Sequence, residues 1–268
     1  MDRLRWHLKK VARKGFALAS WTSGSLALRD RFATPRLRVL TYHRFGDTPR
    51  DAFSVPIDDF ERQMMWLARH GLAVGLADVQ AFLEGRKHVA DGSVLVTVDD
   101  GCPSLHAGAL AVLRRHGIPA VAFVPAGNTP MRPSMLRELA DAGVTVASHG
   151  WSHRSLGRMA ADEARAEAEL SRHALERLVG RTVTAFAYPF GTRADYSPAT
   201  RAILERAGYR LAFTSQHGPI RPGADPLTLP RIKVEGGEPL WMFRLLVRGG
   251  LDTWRWVDRT LWRLQRTA

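Results

Sequence analysis

A single cysteine, Cys102, stands in 268 residues, so no disulfide can form within the chain and cysteine usage points to no oxidising compartment. It lies beside two aspartates, and we read it as a small core residue, with metal ligand or nucleophile as the alternatives. Acidic residues are scarce at both ends. Residues 1–38 hold two Asp/Glu against ten Lys/Arg, residues 231–268 hold four against eight, and the body from 39 to 230 holds 20 against 21. The net charge of +13 therefore belongs to the termini. That argues against a nucleic-acid groove across the body, so no nucleic-acid partner is expected, and it leaves an anionic membrane surface open as a contact for the two basic ends. Long apolar runs are missing as well. Phe16 to Leu28 is diluted by Ser20, Thr22, Ser23 and Ser25, is too short and polar to span a bilayer, and precedes no clear signal cleavage site. The preferred reading of residues 1–36 is a basic amphipathic segment lying on a membrane, against a poorly ordered tail. No motif repeats, and the 15 prolines and 23 glycines are spread along the chain, which fits one large domain with many short loops. The location reads as cytoplasmic or peripheral at an inner membrane, with an exported form left open.

What the sequence does contain is strand after helix in alternation, which implies a parallel α/β barrel. Its centre is Ser93-Val94-Leu95-Val96-Thr97-Val98-Asp99-Asp100-Gly101, a short β-branched run ending in two carboxylates and a glycine. Adjacent carboxylates at a strand end point different ways, so one can bind a cation while the other faces a substrate. For the tripeptide alone a plain Asp-Gly turn is the competing reading. A second strand-like run, Val144 to Ala147, leads into His149-Gly150-Trp151-Ser152-His153. Histidines four apart share one face of a helical turn and can reach one ion, and a carboxylate is a usual third ligand for a catalytic site with an open position. A third run, Thr184 to Ala187, ends in Tyr188-Pro189-Phe190-Gly191. Leu37 to His43 reads as the first strand, ending in Tyr42 and His43. Helices are expected from Asp58 or Asp59 through His70, and over Leu76–Leu83, Pro103–His116, Pro133–Ala142, Met159–Val179 and Ser197–Ala207.

These three ordered stretches resemble the motifs of the polysaccharide deacetylase family, the NodB-homology domain of carbohydrate esterase family 4, and the resemblance runs from about Leu37 to Val234. It implies a deformed (β/α)7 barrel over residues 37–236, with the basic segment 1–36 before it and a C-terminal amphipathic helix in 237–268. It makes Asp100, His149 and His153 the ligands of a divalent metal, Zn2+ first with Co2+ or Ni2+ as alternatives, and Asp99 the general base. Tyr188, Pro189, Phe190 and Gly191 become the substrate and oxyanion loop. The implied activity is removal of N-acetyl groups from an amino-sugar polysaccharide or lipid-linked glycan. An O-acetyl esterase, another C–N hydrolase or a non-catalytic glycan-binding relative are the alternatives.

The chain also departs from the family pattern. Gly150 stands where the second motif has Ser or Thr, so one loop hydrogen bond should be missing, and Ala187 stands where the third motif starts with an arginine that orients the base. Arg231, in Leu229-Pro230-Arg231-Ile232, is a candidate replacement. The fourth and fifth motifs are not evident, which leaves His43, ahead of His217, as the candidate proton donor to a leaving amine. From Trp241 to Arg266 a helical projection puts Arg244, Arg248, Arg255, Arg259, Arg263 and Arg266 on one arc and Phe243, Leu246, Val247, Trp254, Val257, Leu261 and Leu264 on another. Packing on the barrel and contact with a membrane are both compatible with that pattern, and Gly249-Gly250 can divide it into two helices.

Overall fold

The computed structural model describes residues 3–22 and 35–255. Its strands are β1 (Leu37–Tyr42), β2 (Arg44–Phe45), β3 (Ser54–Val55), β4 (Ser93–Val98), β5 (Ala120–Val124), β6 (Thr145–Ser148), β7 (Ala185–Ala187), β8 (Leu211–Phe213) and β9 (Ile232–Lys233). Seven of them form one sheet in the order β8-β7-β6-β5-β4-β1-β9, every pairing parallel, while β2 and β3 pair separately. One segment touches both edges of the sheet. Leu229 bridges Phe213 of β8, and Ile232 and Lys233 pair with Leu40 and Thr41 of β1, so the sheet curls shut through residues 229–233. With its flanking helices this is the expected deformed (β/α)7 barrel.

The strand period of two decides what faces inward. Val39, Leu95, Val121, Phe123, Phe213 and Leu229 form the interior cluster, joined by Val79 and Phe82 from the helix Leu76–Leu83. The alternate residues Leu40, Tyr42, Val94, Val96 and Val98 pack outward against helices. Continuing the inward series Leu95, Thr97 by two residues puts Asp99 inside the barrel mouth. The fold thus aims one of the two adjacent aspartates before any site chemistry is considered.

The helices in chain order are α1 (Arg3–Thr22), α2 (Ile57–Arg69), α3 (Leu76–Leu83), α4 (Leu110–His116), α5 (Pro133–Asp141), α6 (Ala161–Val179), α7 (Pro198–Arg206) and α8 (Leu240–Val247). Ser197 caps α7, its hydroxyl accepting from the Thr200 amide at 3.2 Å. One expectation is corrected. Pro56, not Asp58 or Asp59, holds the N-cap of α2, and the two aspartates lie in its first turn, where carboxylates favour the helix dipole. The helix expected over Pro103–His116 does begin at Pro103 and runs through a π-turn over Leu105–Ala109 into α4. The long C-terminal helix is interrupted: α8 ends at Val247, Gly249 takes φ +85°, and a short 3-10 turn covers Asp252–Trp254. Its expected continuation from residue 256 lies outside the described residues.

The segments expected at the two ends meet each other. α1 packs on α8, and its charges turn inward. Lys10 Nζ lies 3.0 Å from Glu235 Oε2 and Arg13 Nε donates to Glu238 Oε1 at 2.6 Å, all four side chains being buried. Arg13 also donates to the Lys233 carbonyl at 3.2 Å, tying α1 to the end of β9. On the outer face of β1, fully buried Arg38 donates to Asp252 at 3.0 Å. Among the described residues no helix is long and apolar enough to cross a membrane.

Candidate active site

Asp99 and Asp100 diverge at the end of β4. Asp99 is buried at the barrel mouth and receives both guanidinium nitrogens of Arg231, Nη1 to Oδ1 and Nη2 to Oδ2, each at 2.7 Å. The Arg231 Nε donates to the Thr214 carbonyl at 3.0 Å, and its guanidinium lies 5.6 Å from the centre of the Phe123 ring. That planar fork is fixed on three sides. Burial pushes the Asp99 carboxyl up, but the charges of Arg231 and His149 outweigh it and hold the pKa below the usual range. The sequence offered Arg231 as a replacement for the arginine missing at Ala187; the structure brings it onto Asp99 from the segment that closes the barrel.

Asp100 adopts φ +69° and turns toward the second loop. Its Oδ1 lies 3.4 Å from His149 Nε2 and 3.2 Å from His153 Nε2, and the three donor atoms fall within 4.8 Å of one another. A tetrahedral shell with bonds of about 2.0–2.2 Å has edges of about 3.3–3.6 Å, so the two Asp100–histidine separations match those around a zinc-sized ion. The His149 Nδ1 bonds to the Ala187 carbonyl at 2.7 Å, which leaves Nε2 facing the other donors. Ala187 lacks the arginine side chain, yet its backbone orients a ligand. Burial raises the Asp100 pKa, but hydrogen bonds from His149 and His153 more than offset it and leave the carboxylate strongly acidic. The hydrogen bond to Asp100 raises the His153 pKa against the effect of its own burial.

The two histidines do not share a helical turn as their spacing suggested. Residues 149–153 form an irregular loop with Gly150 at φ +79° and His153 at φ +60°. A buried carboxylate that the sequence reading missed holds this loop together. Glu167 of α6 accepts the amides of Trp151 at 2.7 Å and Ser152 at 2.9 Å on Oε2, and the Ser152 hydroxyl on Oε1. A Cβ at position 150 would come within 3.2 Å of that Oε2. The glycine in place of Ser or Thr was the signal: the hydrogen bond expected to be missing is supplied from α6, and it needs the space that glycine leaves.

The third loop divides. Tyr188 is turned away from the site, correcting its assignment as a substrate-facing side chain. It is buried, packs on Phe186, and donates its hydroxyl to the Leu227 carbonyl at 3.1 Å, because strand alternation sends it to the outer face. Pro189 abuts the second loop at Gly150, and Phe190, 55% exposed, sets its ring 5.2 Å from that of His153. The Phe190 amide makes no hydrogen bond among the described residues, whereas the Gly191 amide bonds back to the Pro189 carbonyl at 2.7 Å. Gly191, at φ +61°, also lies so near Ser215 that a Cβ would sit 2.5 Å from its amide.

His43 stands at the same mouth, its ring 4.8 Å from Phe53, and its buried Nδ1 has no partner among the described residues. Burial lowers its pKa to about 4 against the pull of Asp99 and Asp100, so the ring is neutral at pH 7. His217 is elsewhere: its neighbours are Arg13, Arg38 and the backbone of Leu251. That separation removes it as a proton donor. Cys102 is half-buried and accepts from the Ser104 hydroxyl at 3.3 Å.

With this geometry in place, comparison with known proteins is specific. A family model described as "Polysaccharide deacetylase" matches residues 86–212, which include the Asp99–Asp100 strand end, the histidine loop and the Tyr188–Gly191 turn. The Bacillus subtilis (strain 168) protein YxkH, which carries a polysaccharide deacetylase name, is 24% identical over 207 residues, covering 75% of this chain and 72% of that protein. A poly-beta-1,6-N-acetyl-D-glucosamine N-deacetylase from Staphylococcus aureus (strain MRSA252) is 22% identical over 200 residues, 68% of each chain. Among solved structures, the Streptococcus pyogenes deacetylase PplD in complex with acetate superposes with a TM-score of 0.73 at 22% identity, over 80% of this chain and 98% of that one.

Proposed function

We propose that this chain, whose residues 86–212 match the polysaccharide deacetylase family model, is a metal-dependent hydrolase that removes N-acetyl groups from an amino-sugar glycan. One observation carries the reading: Asp100, His149 and His153 converge while Asp99, next in sequence, is held apart by Arg231. The name of the Staphylococcus aureus relative supports the N-acetylated substrate class.

Asp100 Oδ1 and the Nε2 atoms of His149 and His153 would hold the cation, Zn2+ before Co2+ or Ni2+. Such an ion supplies Lewis acidity and an acidified water at neutral pH. Asp99 takes the proton released as water attacks the acetyl carbonyl. Its bidentate pairing with Arg231 makes it a weak base and fixes the plane of the carboxylate at the barrel mouth. The unpaired Phe190 amide is placed to donate to the developing oxyanion. His43, neutral at rest, relays a proton toward the leaving nitrogen instead of starting as imidazolium. Ester and amide are both served by this arrangement, so the N-acetyl assignment rests on the relatives.

The test pairs metal analysis with acetate release from N-acetylated and O-acetylated oligosaccharides. Asp100→Ala and His149→Ala should lose the metal and all turnover, whereas Asp99→Asn should keep the metal and lose roughly 10²–10⁴ in kcat. Wild-type acetate release by Asp100→Ala would overturn the proposal, as would a metal-loaded protein that releases acetate from neither substrate class.

A further inference from the structure

α1 is amphipathic in the inverted sense. At about 100° per residue, Lys10, Arg13 and Ala17 share one side, and this side faces the barrel. The two cations are buried on Glu235 and Glu238, and Ala17 is fully buried. The opposite arc carries Val11, Ala12, Gly15, Phe16, Leu18 and Ala19, every one of them exposed. Val11 is 67% and Leu18 43% accessible, and Phe16 is 42% accessible at the edge of this face with its ring 5.4 Å from that of Trp254. Over two turns the face shown to solvent holds no charged side chain, while the charges that would normally occupy it are spent inside.

What covers that face is indicated by its surroundings. Of the ten Lys/Arg in residues 1–38, Lys10, Arg13, Arg36 and Arg38 are buried, and the other six, with Arg3, Arg5 and Lys9 in the first turns of the same helix, stand against two Asp/Glu. The neighbouring α8 exposes Trp241, 41% accessible, and Arg244 one turn later. Between α8 and α2 a cavity of about 210 Å³ is lined by Arg62, which pairs with Asp59, and by Arg69, His70, Trp66 and Arg244. A second copy of the chain would bring like charge against like charge. A partner that is apolar inside and anionic at its surface matches both features, and a bilayer of anionic lipid is such a partner. We propose that α1 docks the protein on an anionic membrane, lying in the headgroup layer on its Val11–Leu18 face without crossing. Since Arg13 ties α1 to the Lys233 carbonyl at the C-terminal end of β9, docking would hold the barrel mouth close to that surface.

The experiment is flotation of the full chain with phosphatidylcholine vesicles, with and without about 30% phosphatidylglycerol, a fraction chosen to give a strongly anionic surface. Wild-type protein should float only with the anionic vesicles, and binding should weaken as salt shortens the screening length. The double variant Val11→Asp with Leu18→Asp should lose at least about tenfold in partitioning, because two exposed apolar anchors become anions. Its melting temperature should change little, since Val11 is 67% and Leu18 43% accessible. Failure of the wild type to float with anionic vesicles overturns the proposal. So does a double variant that floats as well as the wild type, or a sedimenting dimer that the same two substitutions dissociate.

Discussion

The barrel mouth and the α1–α8 layer both bury charge, and they use it differently. In the layer, two cations meet two carboxylates and each is satisfied by the others. At the mouth, one pair is closed in the same way, Asp99 with Arg231, but beside it three lone-pair donors face one another with Asp100 39% and His153 29% accessible. Without a cation these groups can pair only through protons on the imidazoles, which a bound ion would displace. Buried charge that is internally complete holds elements together, whereas buried charge left incomplete marks where a ligand belongs.

The largest expected effect tests whether the Asp99–Arg231 pair is of the first kind or the second. Arg231→Met leaves an unpaired buried carboxylate and should cost about 3–5 kcal/mol of stability. Glu235→Gln breaks a pair of comparable burial in the layer. If the two regions differ as described, denaturant melts will register both variants, but only Arg231→Met will depress kcat in acetate-release assays. Equal turnover in the two variants would erase the distinction.

A smaller effect concerns Glu167, which touches no ligand atom and orders the loop that carries two of them. Glu167→Gln keeps the shape but cannot accept from two amides and a hydroxyl with the same charge, and metal affinity measured by competition with a chelator should fall about 10–100-fold. Thermal stability should fall less than for Arg231→Met. The smallest effect is on pH. His43 and His217 are buried as neutral rings, one in each region, with pKa values lowered by burial to about 4 and about 3. Both sit below the unfolded value near 6.5, so their contribution to stability is complete above that pH and is lost as the pH falls through 4 and 3. His43→Gln should flatten the decline of the melting temperature in acid without removing it, since His217 still titrates.

Much of the site is legible in the sequence because strand alternation and loop position are local properties. Val94 to Val98 announces a buried strand, and counting in twos from Leu95 delivers Asp99 to the interior and Asp100 beyond it. Arg231 could be suspected because Ala187 left its place vacant, but its partner became visible only when residues 229–233 closed the sheet. Glu167 was hidden among the glutamates of an Ala- and Glu-rich helix, where nothing in the spacing separates it from Glu163 or Glu169. The histidine loop was misjudged because a four-residue spacing looks helical, while the backbone there is set by Gly150 and by a buried carboxylate far along the chain. The break in the C-terminal helix was legible in Gly249-Gly250, although side-chain periodicity alone runs on past it.

Three residues other than glycine at the mouth, Asp100, His153 and Phe190, hold left-handed backbone conformations, one in each loop. Such conformations cost a side-chain-bearing residue free energy that glycine would not incur. Substitution by glycine would relax each loop and at the same time delete a proposed metal ligand or the ring beside one. Selection for durability alone would therefore drift toward a sturdier and inert barrel. The tension in these loops is the mark that chemistry has left on the backbone.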